Sequence, residues 1–228
     1  MRAWIVLTLL AATSCSSKQD ARHLELDAIR VLPNATLRTD RVSGDPTPTR
    51  ASVEVASERD RFAGKATFVL VDAENTAGEG AYVTLGGELT SEAGDRLGYL
   101  KPQSLWIPGG EKRTFALVDE AREARPASAS ARIVVRGALV PPSPPRAKIT
   151  DLHTFDDYGK VVVQANLVNE ADRPGKAIVI ASFHDAQGTP MTRPFQLIEF
   201  APSSKRVVQF VGPPGSKTGS IFVGELVY

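Results

Sequence analysis

Side chains that usually carry chemistry are scarce here: one cysteine, three histidines, two tryptophans and four tyrosines in 228 residues. A single cysteine has no partner within the chain, which excludes a disulfide framework. His23, His153 and His184 lie far apart, and none forms an H-x-x-x-H pair of the kind that seats a metal. No G-x-S-x-G elbow is present. Lys and Arg never cluster into the basic surface that displaces phosphate counterions, so nucleic acid is excluded as a partner, and electrostatic adhesion to anionic lipid is disfavoured. Gly212-Pro213-Pro214-Gly215-Ser216-Lys217-Thr218 lacks the Gly-Lys-Thr junction of a phosphate loop and reads as a loop between the last two strands. No apolar run reaches the roughly 20 residues that span a bilayer. With 42% hydrophobic and 23% charged residues, the chain is nonetheless globular rather than disordered.

The cysteine it does have is placed tellingly. Arg2, an apolar run over residues 4–10 and then Ala11-Ala12-Thr13-Ser14-Cys15 make a basic start, a short apolar segment and small residues before Cys15. That is the layout of an export signal. It resembles the lipobox of bacterial lipoproteins, with Ala12 where Leu is usual, and the resemblance implies a signal peptide over residues 1–14 and an acylated Cys15. Acylation would remove a thiol that is otherwise a liability in an oxidising compartment. Ala12-Thr13-Ser14 also fits ordinary signal peptidase, which would leave Cys15 at the start of a secreted protein. Ser16, where the family's inner-membrane retention signal has Asp, implies an outer-membrane location. Removing the signal takes away Arg2 from 27 basic side chains against 26 acidic ones, so the mature chain is formally neutral.

Four prolines within Val140-Pro141-Pro142-Ser143-Pro144-Pro145 form a stiff spacer that cannot join a sheet ladder. It divides the chain into residues 22–140, after a short tether over 15–21, and residues 146–228, with 141–145 as the linker. Displacing the sequence by 94 residues places Asn75 on Asn169, Gly94 on Gly188 and Pro108 on Pro202. Val69, Val71 and Ala73 then fall on Val163, Ala165 and Leu167, and Leu85 and Leu89 on Val179 and Phe183. A slip of one residue would invert every side chain of a strand, so shared apolar phase indicates a duplicated β module. The spacer is expected to keep two separate cores, each able to fold by itself.

Residues 131–140 and 147–152 read as the strands flanking the spacer, and 160–168, 176–184, 206–211 and 220–228 as strands of the second copy. Asn169 to Gly175 and Asp185-Ala186-Gln187-Gly188 supply turn residues. The fold class is all-β, with two tandem immunoglobulin or fibronectin-like antiparallel sandwiches. Residues 38–61 read as a polar loop insert in the first copy, with a short strand near residues 51–55.

Asn169, then Ser182-Phe183-His184-Asp185-Ala186-Gln187-Gly188, then Ala201-Pro202 ahead of Phe210, resembles the bacterial FxLYD-type module. The first copy resembles it through Asn75, Gly94 and Ile107-Pro108-Gly109-Gly110-Glu111 to Phe115, with Ser91 in place of the Asp. The resemblance implies an immunoglobulin-like sandwich on an envelope protein, with a binding or structural role.

Among polar candidates, His184-Asp185 reads as a strand end leading into an Asx turn, so His184→Ala should cost little. Asp156-Asp157 falls well short of the six to eight oxygens calcium takes. Trp106 and Phe200 occupy equivalent positions and are expected in the core or at an inter-sheet edge, while Tyr82, Tyr99, Trp106 and Tyr158 are the aromatics that could line a cleft. The expected function is a non-enzymatic, lipid-anchored envelope protein with no catalytic, metal or cofactor-binding residue, which acts as a structural or protein-docking module. The alternative is a module that binds a glycan, a peptide or a peptidoglycan fragment.

Overall fold

The structure, a computed structural model, describes residues 20–41 and 65–228. Cys15 and the strand expected near residues 51–55 lie outside the described residues. Runs rich in Val, Ile, Thr and Phe become strands because branched and aromatic side chains suit a pleated, half-buried surface. In chain order these are β1 (Arg22–His23), β2 (Ile29–Arg41), β3 (Lys65–Asn75), β4 (Ala81–Thr90), β5 (Arg96–Ile107), β6 (Lys112–Val118) and β7 (Ser130–Val140) in the first half. The second half has β8 (Ala147–Asp157), β9 (Lys160–Asn169), β10 (Gly175–His184), β11 (Pro190–Thr192), β12 (Phe195–Phe200), β13 (Lys205–Val211) and β14 (Thr218–Val227). A single 3-10 turn, Leu26–Ala28, precedes β2.

Each half is a sandwich of two antiparallel sheets. In the first, β2-β3-β6 faces β1-β7-β4-β5; in the second, β13-β9-β8 faces a sheet in which β10 is flanked by β14 on one side and by β11 and β12 on the other. β1 apart, the pairings correspond strand for strand once β11 and β12 together are set against β5. The apolar phase read from the sequence holds: Val69, Val71, Ala73, Leu85 and Leu89 are buried, as are Val163, Ala165, Leu167, Val179 and Phe183.

The duplication extends to hydrogen bonds. Asn75 Nδ2 donates to the carbonyls of Glu79 (2.8 Å) and Ile107 (3.1 Å), and its Oδ1 accepts from the amide of Ala77 (3.1 Å). Asn169 repeats this with Arg173 (3.0 Å), Ala201 (2.9 Å) and Ala171 (3.0 Å), each partner displaced by the same 94 positions. One buried amide thus ties a turn to the strand crossing above it, satisfying three backbone groups that would otherwise be desolvated without partners. Gly94 and Gly188 adopt φ of +87° and +76° in equivalent turns. Asp185 caps its turn by accepting from the amides of Gln187 and Thr189, and in the first copy the Ser91 hydroxyl accepts from the amide of Asp95. Ser91 therefore does at this turn what Asp185 does in the second copy, more weakly.

Three boundaries differ from expectation. β2 continues to Arg41, pairing Arg38 with Phe68 and Arg41 with Lys65, so residues 38–41 are strand and not loop. A strand end exposed on both faces, as at Arg38 and Thr39, has no apolar period to announce it. β8 likewise extends past Leu152 to Asp157, its residues largely exposed. β11 and β12 were hidden by Pro190 and Pro194, which interrupt the pattern at the ends of short strands.

The two cores are not kept apart by the prolines. β10 is buried along both faces: Ala177, Val179, Ala181 and Phe183 belong to the second half's own core, while Ile178 and Ile180, with Phe222 of β14, join the apolar cluster of the first half.

Candidate functional site at the junction of the halves

The face of β10 that carries Ile178 and Ile180 also carries Ser182 and His184, because alternate residues share a side. At its end His184 is buried (4% exposed) and meets Asp72 (1% exposed) on β3 of the first half. His184 Nε2 donates to Asp72 Oδ2 over 2.8 Å, and the Thr114 hydroxyl donates to Asp72 Oδ1 over 2.5 Å. Lys112 Nζ stands 3.4 Å from the same carboxylate. Burial alone would raise the Asp72 carboxyl, but the bonds from His184 and Thr114 and the nearby positive charge outweigh it and hold Asp72 below the usual carboxylate range. Asp72 is therefore the charged centre of an otherwise dry contact.

Around it the second half grips the first by its backbone. Arg193 Nε donates to the Thr114 carbonyl (2.7 Å), Asn34 Nδ2 to the Gln187 carbonyl (2.9 Å) and Arg38 Nη1 to the Met191 carbonyl (3.1 Å), and the Thr36 hydroxyl donates to Pro190. The Phe222 ring is within cation–π range of two guanidinium groups, Arg113 at 5.3 Å and Arg193 at 5.8 Å. His184 is thus a cross-module contact as well as the residue before an Asx turn, and the expectation that its removal would cost little is corrected. The sequence signal was present: residues 177–183, Ala-Ile-Val-Ile-Ala-Ser-Phe, form a continuous small and apolar run where a one-sided strand would alternate, and such runs mark strands covered on both faces.

Beside this contact runs a cleft of about 900 Å³ between β5 of the first half and β8 and β14 of the second. Tyr82 and Trp106 stand together at its wall, ring centroids 5.4 Å apart and planes at 61°. Burial pushes the Tyr82 phenol up. The indole packs on Gly80, where a Cβ would collide with it. Of the other aromatics named from the sequence, Tyr99 lies under Arg96 away from the cleft, and Tyr158 is fully exposed at the β8–β9 hairpin. Phe200, equivalent to Trp106, is buried against Tyr228.

The three histidines are not brought together: His23 is exposed on β1, His153 exposed on β8, and His184 buried. Asp156 accepts from the amide of Gly159 within its hairpin. Among the described residues no group of three or more His, Cys, Asp or Glu is placed to hold a metal, and no helix is long and apolar enough to cross a membrane.

No protein-family model matches the chain, and no curated protein matches it in sequence. Among solved structures, it is similar to red sea bream transglutaminase at 13% identity and a TM-score of 0.23, over 80% of this chain and 27% of that one. The chain thus spans about a quarter of that protein's length.

Proposed function

We propose that this chain is a non-enzymatic envelope lipoprotein, anchored through Cys15 at the outer membrane, whose two sandwiches act as one structural and protein-docking body. The observation that carries this reading is the junction. A buried histidine–carboxylate hydrogen bond, a ring within reach of two guanidinium groups and four side-chain-to-backbone bonds fix the second half on the first, so the pair presents a surface of defined shape instead of two beads on a string. Preformed, rigid surfaces bind with less loss of conformational freedom than mobile ones. The layout of residues 1–15 supports the anchor, since three acyl chains on one cysteine bury enough methylenes for stable attachment. The paired Asn-turn geometry supports kinship with FxLYD-type modules.

The test is fractionation of cells carrying the native chain or Cys15→Ser, followed by crosslinking and recovery of partners from solubilised membranes. Native protein in the membrane fraction with a reproducible envelope partner, and variant protein in the soluble fraction, is the expected result. A variant that stays with the membrane after a high-salt wash refutes the anchor; turnover by the purified chain refutes the non-enzymatic assignment.

A further inference from the structure

We propose that the cleft between the halves is the docking site itself, and that its occupant is an extended, uncharged peptide segment of a partner, laid along the strand edges of β5 and β14. This rests on the docking role proposed above.

The lining of the cleft points to backbone recognition. Successive side chains of a strand point to opposite faces, so a strand that turns a face toward a cleft contributes every second residue. Here β14 contributes residues 220–226 without a gap, β8 residues 147–152 and β5 residues 101–104. Consecutive lining means that the strands meet the cleft edge-on. β5 is the end strand of its sheet, and β14 pairs along its length with β10 alone. Pro102 in β5 agrees, because proline within a strand is confined to edge strands and bulges, and β5 is an end strand whose register shifts beside Pro102. Edge strands are the surfaces to which extended peptides add by main-chain hydrogen bonding, with pockets for alternate side chains giving selectivity.

The charges are already matched. Lys101, Arg113 and Lys148 in the lining are balanced by Glu111, Asp151 and Glu225, and Arg113 pairs with Glu111, Lys148 with Glu170 and Asp151 with Lys205, so the cleft carries no net charge that would call for an anionic or cationic ligand. A sugar would want a flat, open ring to stack on. Trp106 is instead half-buried, with one face on Gly80 and Tyr82 edge-on to it, which makes a notch for a compact apolar side chain.

With the signal removed, Trp4 is gone and Trp106 is the only tryptophan, so its fluorescence reports the cleft directly. The mature, unlipidated chain is titrated with a capped nine-residue peptide of Ser, Thr and Val bearing a central Leu, with the same peptide bearing a central Gly, and with chitohexaose. The expected result is a saturable blue shift with the Leu peptide, binding at least tenfold weaker with the Gly peptide, and slowed amide exchange confined to β5, β8 and β14. Ser104→Arg, which puts a long charged side chain at an exposed lining position of β5, should weaken binding at least tenfold while leaving the thermal transition of the free protein unchanged. Three outcomes overturn the proposal: a response to chitohexaose instead of the peptides, slowed exchange elsewhere, or no response to any probe. None of these touches the anchoring and partner-recovery results, which decide the docking role separately.

Discussion

Replacing His184 by Ala tests the junction most directly. The imidazole and its carboxylate partner are both almost wholly removed from water, at 4% and 1% exposure. Losing a hydrogen bond to a buried charged group costs about 1.5–3 kcal/mol, and the space vacated adds to it. A carboxylate left with no partner at all would raise the total to about 3–5 kcal/mol. Asp72 keeps the Thr114 hydroxyl and Lys112, so the expected loss lies between, at about 2–4 kcal/mol. For a chain of this length that corresponds to a fall in Tm of roughly 5–15 °C. Denaturant unfolding of the mature chain at neutral pH measures it, and a cycle with Asp72→Asn isolates the pair, since the two single losses should sum to more than the double. The pH dependence follows from the lowered carboxyl. Its contribution is fully present above the ordinary carboxylate range and is lost as pH falls through the lowered folded value, so the gap between native protein and variant should close in acid. A loss below about 0.5 kcal/mol, the usual size of a surface change, would show that the contact does not hold the halves together.

Asn75→Ala and Asn169→Ala should each destabilise by about 2–3 kcal/mol through the same three bonds to backbone, with Asn169→Ala the costlier because its Oδ1 also accepts from the Tyr228 hydroxyl; a larger loss at Asn75 in chemical denaturation would break the equivalence of the copies. Gly188→Val should cost on the order of 1–2 kcal/mol through strain at φ of +76°, where a branched side chain has open space but the wrong backbone, and unchanged stability would refute the turn assignment. A fragment of residues 145–228 exposes Ile178, Ile180 and Phe222 to water, so its calorimetric transition should fall below that of the full chain; an equal Tm would mean that the shared apolar surface contributes nothing.

The sequence carried the fold class, the duplication and its 94-residue offset, and the turns at Asn75, Asn169, Gly94 and Gly188. Each depends on local chemistry: branched residues favour pleated backbone, Gly accepts positive φ, and Asn bonds to nearby main chain. β2 beyond Leu37 and the outer part of β8 were not legible, since a strand wet on most of its surface leaves no apolar period to read. The run through β10 was legible as a strand, yet what covered its second face was not. Only the tertiary structure put Asp72 of β3 against His184 of β10, 112 residues away, and laid the edges of β5, β8 and β14 along one cleft. Local sequence specifies which backbone a segment adopts and which of its faces avoids water, whereas the partner of that face is chosen by long-range packing, to which neighbours in sequence are blind.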